Sequence, residues 1–303
     1  MKLSVSVTNF SWPDGPTAIP AHLGTLAEFL DGTAVHTLWV ADHLLQADPA
    51  CRLDEPMLEA YTTLGFLAAK TAELRLGTLV TAATFRDPAV LIKAVTTLDV
   101  LSGGRAWLGL GAGYNADEAR ALGLFLPPTR ERFDRMGELL QLARRMWDGD
   151  ESAYAGSYYR AEHPVGRPRP ISRPPVLIGG TGERRTLRMV AEYADACNLF
   201  DIPNGESVIR RQLDVLGRHC AEIGRPPEEI EHTLTTALTP GESADQLVER
   251  CRHLAGLGIQ HVVVIARGRP WAPNELEVVV RAAAELARNG CTSVSAPTAR
   301  QDV

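Results

Sequence analysis

An eight-stranded parallel α/β barrel is the fold that these 303 residues predict. Three observations point to it. Short apolar strand candidates alternate with amphipathic helix patterns, which demands parallel pairing through right-handed crossovers. Eight such strands occur, at 3–8, 37–41, 75–81, 106–111, 176–179, 196–200, 232–237 and 261–265, and eight units close into a (β/α)8 barrel. Glycine and polar residues gather just after the strands, where α/β proteins bind ligands. A doubly wound open sheet is the alternative, because periodicity does not say whether the first and last strands meet. No internal repeat or low-complexity linker marks a second domain. Residues 1–290 therefore read as one barrel, with 291–303 as a flexible C-terminal tail.

The first strand, in Met1-Lys2-Leu3-Ser4-Val5-Ser6-Val7, alternates and is too short and polar for a secretion signal. The second, Thr37-Leu38-Trp39-Val40, runs into Ala41-Asp42-His43. Met57, Tyr61, Leu64 and Ala68 form a helical stripe before the third strand. After that strand Asp87 caps a helix and Pro88 takes its first position, where a missing N–H costs nothing. Val90, Leu91, Ala94, Val95 and Leu98 recur at helical spacing, and Ser102-Gly103-Gly104 ends the helix. Ala106-Trp107-Leu108 is short, apolar and followed by glycines, as a buried parallel strand is. The rhythm then breaks. Residues 126–175 carry a long helix pattern through Phe133, Met136, Leu140, Ala143 and Trp147, then a loop-like, proline-rich run. This reads as an insertion on the catalytic face, covering a ligand. Stripes through Ile209, Leu213, Leu216, Cys220 and Ile223, through Leu247, Cys251 and Leu254, and through Leu276, Val279, Ala283 and Leu286 complete the set.

Composition excludes several classes. The net charge of −6 and the lack of any Lys/Arg run argue against a nucleic-acid partner. No apolar stretch approaches the roughly 20 residues that span a bilayer, so a cytoplasmic protein without membrane association is expected. The five cysteines are scattered, without zinc or disulfide spacing, and read as reduced thiols.

Three places carry candidate chemistry. Asp42 and His43 lie at a strand's carboxyl end, where a histidine that titrates near neutrality can serve as acid or base; a capping Asp beside a structural His fits as well. No metal site is read, since adjacent strand residues face opposite ways and no His-Glu-x-x-His run occurs. Val176-Leu177-Ile178-Gly179-Gly180-Thr181-Gly182 leaves a strand through glycines into a helix, which favours a phosphate at the helix start over a plain tight turn. Gly109-Leu110-Gly111-Ala112-Gly113 is spaced G-x-G-x-G, not as the dinucleotide fingerprint, and in a barrel would let a flat ring lie close to the backbone. Tyr114 and Asn115 follow, placed to hydrogen-bond a ring or substrate, while Glu118 reads as complementing the helix start. The other histidines read as packing or surface residues.

Together, Leu38-Trp39-Val40-Ala41-Asp42-His43, Gly77-Thr78-Leu79-Val80-Thr81 with Phe85-Arg86-Asp87-Pro88, Leu98 to Arg105 with Leu108 to Tyr114, and Ile178 to Gly182 resemble the luciferase-like monooxygenase family of flavin- and deazaflavin-dependent (β/α)8 enzymes. The resemblance spans about residues 3–290 and is nearest to the F420-dependent branch, common in actinobacteria, to which Ala191 to Phe200 adds. It implies a ring stacked at Thr78, Leu79 and Val80, near a strand-three bulge where relatives often hold a non-proline cis peptide and this sequence leaves the isomer open, and further cofactor contacts from Gly111, Ala112, Gly113 and Asn115. It implies a phosphate on Gly179, Gly180, Thr181 and Gly182. Asp42, His43 and Tyr114 become the catalytic candidates, Tyr114 aligning where some F420 relatives carry a glutamate acid.

The expected activity is F420-dependent hydride transfer with a small organic substrate, in a homodimer. An FMN-dependent monooxygenase fed by a separate reductase is the alternative, and a non-catalytic flavin-binding barrel a third. A polyanionic F420 tail would favour Arg160, Arg167 or Arg169 beside the phosphate site. An aldolase-type lysine is missing from the strand ends, since Lys2, Lys70 and Lys93 lie elsewhere.

Overall fold

A computed structural model describes residues 1–201 and 205–290; the expected tail, 291–303, lies outside them. Eight parallel strands form the barrel: β1 Lys2–Val7, β2 Val35–Val40, β3 Arg75–Thr78, β4 Ala106–Gly111, β5 Val176–Gly179, β6 Ala196–Phe200, β7 Glu231–Ala237 and β8 His261–Ile265. β1 pairs with both β2 and β8, and β3 pairs with β4 through Leu76↔Ala106 and Gly77↔Trp107. The sheet is therefore closed, which decides against the open doubly wound alternative.

The third strand is shorter than its apolar run. It stops at Thr78, passes a cis peptide between Leu79 and Val80, and resumes as Thr81–Ala82 alongside β4. Helices α1 Ile19–Leu30, α2 Ala60–Lys70, α3 Pro88–Ser102, α4 Ala116–Leu122, α5 Thr129–Asp148, α6 Thr186–Tyr193, α7 Gly205–Ile223, α8 Ala244–Gly256 and α9 Pro273–Gly290 surround the barrel. Local chemistry sets their ends. Asp87 accepts the Ala89 N–H at 3.0 Å, Pro88 is the first residue of α3, and Gly103 closes it with φ 72°. Ser243 and Gln246 form a reciprocal capping box on α8.

Inward-facing side chains fill the barrel. Trp39 and Trp107 pack with ring centroids 5.6 Å apart, over Leu177, Ala196 and Val263. A Cβ on Gly77, between them, would come within 2.8 Å of both Trp39 Cζ3 and Trp107 Cβ. Two indoles on neighbouring strands thus require glycine on the third.

The interval 126–175 differs from its reading as a lid. α5 buries Met136, Leu139, Leu140, Ala143 and Trp147 and is the crossover helix after β4. Its C-terminus and the approach to β5 sit towards the amino ends of the strands: Asp99 accepts the Ile171 and Ser172 N–H groups, and Leu108 N–H donates to Pro175 O. A hairpin, Tyr154–Ala155 with Arg160–Ala161, rides on the outer face of α5, its tip held by Glu138. A crossover helix must run antiparallel to its strands, so the chain that leaves it emerges at the end of the barrel opposite the ligand face. Among the described residues no helix is long and apolar enough to cross a membrane.

Candidate active site

A cavity of about 700 Å³ opens at the carboxyl ends of the strands. One wall is the β3 bulge, where Leu79, Val80, Thr81 and Ala82 border it beside Gly111 and Gly179. A Cβ on Gly111 would lie 2.8 Å from Val80 Cγ2, and one on Gly179 would lie 3.0 Å from Val80 Cγ1. A Cβ on Gly109 would meet the Thr78 carbonyl oxygen. The glycines of β4 and β5 therefore make room for the bulge itself, and only through it shape a wall for a flat ligand. Gly113 is the exception, a turn glycine with φ 75°. Thr78 does not border the cavity. It is buried in the bulge, where its hydroxyl donates to Gly109 O at 2.9 Å and accepts from Thr81 Oγ1 at 3.0 Å.

His43 is the ionisable group best placed for chemistry. It lies just past β2, and its Nδ1 is 2.8 Å from Glu118 Oε2, on a glutamate whose side chain is fully buried. The Leu44 and Leu45 N–H groups donate to Glu118 Oε1 at 2.6 and 3.1 Å. Burial raises the Glu118 pKa, but the His43 hydrogen bond and charge together with these two backbone donors outweigh it, leaving the carboxyl below the ordinary glutamate range. Facing an ionised carboxylate, Nδ1 carries the proton, and Nε2 is left to exchange one. Tyr114 OH is 3.4 Å from Nε2, its ring edge-on to the imidazole and largely exposed at the mouth. Asn115 borders the cavity but spends its side-chain oxygen capping α4, accepting the Glu118 N–H at 3.1 Å.

Asp42 has another task. Its buried carboxylate takes Arg86 Nη1 and Nη2 at 2.5 and 2.9 Å, and Arg86 also reaches Glu59 at 2.5 Å while stacking on Tyr61 at 4.9 Å. The bidentate guanidinium takes one lone pair on each Asp42 oxygen and fixes the carboxylate in place at the edge of the cavity. Asp42 therefore anchors the His43 loop to the loop that precedes α3.

The glycine turn after β5 also departs from its reading. α6 begins at Thr186, not at the glycines, and the Gly180 N–H is taken by Asn198 O at 3.2 Å. Gly179, Gly180 and Thr186 border the cavity, whereas Thr181 and Gly182 do not. From 126–175 only Thr129, Arg132 and Phe133 border it. Arg160, Arg167 and Arg169 do not border it, and Arg167 pairs with Glu151. Glu118, Arg86 and Asn198 complete the site, and the sequence does not single them out as part of it. Glu118 looks like an ordinary first-turn acid, and its partner is 75 positions away.

The fold and this site define a class: barrels whose strand-three bulge and glycines form one wall of a cavity with a carboxylate-backed histidine at its rim. The profile of the luciferase-like monooxygenase family matches residues 1–293, and the chain belongs to that family. It is 30% identical over 247 residues to an F420-dependent glucose-6-phosphate dehydrogenase of Kineococcus radiotolerans, covering 79% of this chain and 70% of that protein. Its fold superposes with TM-score 0.77 on an F420-dependent secondary alcohol dehydrogenase solved with an F420–acetone adduct, at 17% identity over 94% of this chain and 99% of that one. A type II Baeyer–Villiger monooxygenase from Pseudomonas putida, solved with FMN, gives TM-score 0.75 at 14% identity, covering 95% of this chain and 98% of that one.

Proposed function

We propose that this protein is an F420-dependent oxidoreductase that moves a hydride between the deazaflavin ring and a small organic substrate. The observation that carries this reading is the pairing of the β3 bulge wall with a carboxylate-backed His43 across one cavity. The likeness to proteins named for F420 supports the cofactor. The residues fit such a ring: Leu79 and Val80 supply an apolar face, and Gly111 and Gly179 keep the adjoining strands out of its way. Of the turn read as a phosphate site, Gly179 and Gly180 border the cavity together with Thr186. When bound, the deazaflavin supplies a two-electron hydride carrier, chemistry that no side chain offers.

The chain's own residues do the rest. Oxidising an alcohol removes a hydride from carbon and a proton from oxygen, and His43 Nε2 is the group placed to take the proton. Glu118 fixes the imidazole's tautomer and balances the positive charge that forms. In the reverse direction the same nitrogen returns the proton. Tyr114, where some F420 relatives carry a glutamate, donates a hydroxyl rather than a carboxyl to the rim and keeps one edge of the cavity neutral.

The FMN monooxygenase reading, with reduced flavin delivered by a separate reductase, draws support from the FMN-bound structural neighbour. Fluorescence titration with F420 and with FMN, each oxidised and reduced, separates the two. F420 is expected to bind in the low micromolar range or tighter and FMN at least about tenfold more weakly, a gap of about 1.4 kcal/mol. Tight FMN binding without F420 binding overturns the reading in favour of the monooxygenase.

A further inference from the structure

We infer that the side-chain amide of Asn198 is a fixed hydrogen-bond donor in the cavity wall that selects a neutral acceptor oxygen, a carbonyl, on the bound ligand. The inference rests on the function proposed above. Along β6 alternate side chains face the barrel axis. Ala196 packs in the interior layer with Trp39 and Trp107, Asn198 is the next inward residue, and Phe200 follows at the rim, 40% exposed. Asn198 itself is 1% exposed and borders the cavity.

Its orientation is set from one side. Thr233 Oγ1 and Thr235 Oγ1, both on β7, donate to Asn198 Oδ1 at 2.9 and 3.1 Å. With both oxygen lone pairs engaged towards β7, the nitrogen is turned to the β5 side, where Asn198 stands in register with Gly179. There Nδ2 is buried and has no partner among the described residues. A buried donor without an acceptor is costly, and in native structures such groups recur where a ligand completes them. In this orientation both threonine hydroxyls donate to Oδ1, and the donor end of the amide is free.

Local chemistry narrows the ligand atom. The flanking positions on β5, β7 and β8 are Gly179, Thr233, Thr235 and Ile265, none of them charged. A carboxylate or phosphate oxygen at this point would find no cation among these flanking positions. A carbonyl is matched to one amide N–H. Two ligands carry such an oxygen: the pyrimidine edge of a flavin-like ring, and a ketone or aldehyde substrate.

The test uses Asn198→Asp, which keeps the acceptor for both threonines but removes the donor, and Asn198→Leu, which removes both. F420 and FMN are titrated by ring fluorescence, and acetone is then titrated onto the loaded protein as a neutral carbonyl probe. Loss of one buried donor is expected to weaken binding by about tenfold in both variants, while melting shows them folded. Weakened cofactor binding assigns the oxygen to the ring; unchanged cofactor binding with a weakened acetone response assigns it to the substrate. If both variants fold and bind cofactor and acetone within about twofold of wild type, the inference is overturned. If wild type binds neither F420 nor FMN, the functional reading itself has failed.

Discussion

The two ends of the barrel interior use the same inward strand positions for opposite purposes. At the amino ends, Ser4, Thr37, Glu231 and His261 face one another in a buried cluster that borders no ligand cavity at the strand carboxyl ends. Ser4 Oγ accepts the Thr37 N–H at 3.1 Å and is hydrogen-bonded to His261 Nε2 at 2.5 Å. His261 Nδ1 then faces Glu231 Oε1 at 3.3 Å, and Lys2 Nζ closes the chain on Glu231 at 2.9 Å. At the carboxyl ends, Asn198 keeps a donor in reserve and His43 keeps Nε2 towards the cavity. A serine, histidine and glutamate in line look like a hydrolytic triad, yet Ser4 and His261 are fully buried and reach no substrate. Chemistry follows exposure to a cavity rather than residue type.

The sharpest break of this comparison is His43→Ala. Turnover is expected to fall by about 10²–10⁴, the usual contribution of a positioned acid–base group. Cofactor affinity by titration should stay within about threefold, while the loss of the Glu118 partner should lower stability by about 1–3 kcal/mol. Equal loss of affinity and turnover would make His43 a binding residue. Glu118→Gln should lower kcat less and displace its pH profile, because it alters His43 without removing it.

Arg86 sharpens the contrast from the other side, being at the functional end but acting structurally. Arg86→Leu leaves the Asp42 carboxylate, 1% exposed, buried without its cation. The expected loss of stability is about 3–5 kcal/mol in denaturant unfolding. A loss below about 1 kcal/mol would mean that Asp42 is free to act at the cavity instead.

The smallest effect belongs to the amino end. Burial, reinforced by the nearby His261 and Lys2 charges, pushes His36 down to about 3, and burial likewise lowers His261. In the unfolded chain a histidine protonates near 6.5, so below that pH the unfolded state binds protons the folded state refuses. This stability is complete above pH 6.5 and declines as pH falls towards 3. Glu231, held to about 2 against burial by the His261 hydrogen bond and charge and by Lys2, adds its own loss only below about 4.5. Between pH 7 and 5 the melting temperature should therefore fall, and His36→Asn should flatten that fall without altering cofactor affinity. An unchanged slope would show that His36 is hydrated in solution.

Much of the fold is legible in the chain. The eight strands fall where apolar runs end in glycine or polar residues, and β4, β5, β6 and β8 match the reading residue for residue. Asp87-Pro88 and Ser102-Gly103-Gly104 are local signals, complete within a few residues, and they bound α3 correctly. Asp42, His43 and Tyr114 stand out as a group because they follow strand ends. The pairings between distant segments are not legible: Asp42 with Arg86, His43 with Glu118, and Asn198 with Thr233 and Thr235. Nothing in a run of residues says which carboxylate will be neutralised by which cation. The side on which residues 149–175 lie is hidden for a similar reason, since it depends on the direction of α5 in the closed barrel.

By itself the sequence determined the alternation of strands and helices, the breaks between them and the family, because those depend on periodicity, backbone freedom and local capping. The tertiary structure alone decided that β3 and β4 close the ring, that the glycines of β4 and β5 serve Val80, and which polar side chains were left facing a cavity. Closure and burial depend on contacts between residues far apart in the chain, and burial determines whether a carboxylate, an imidazole or an amide is a strut or a tool.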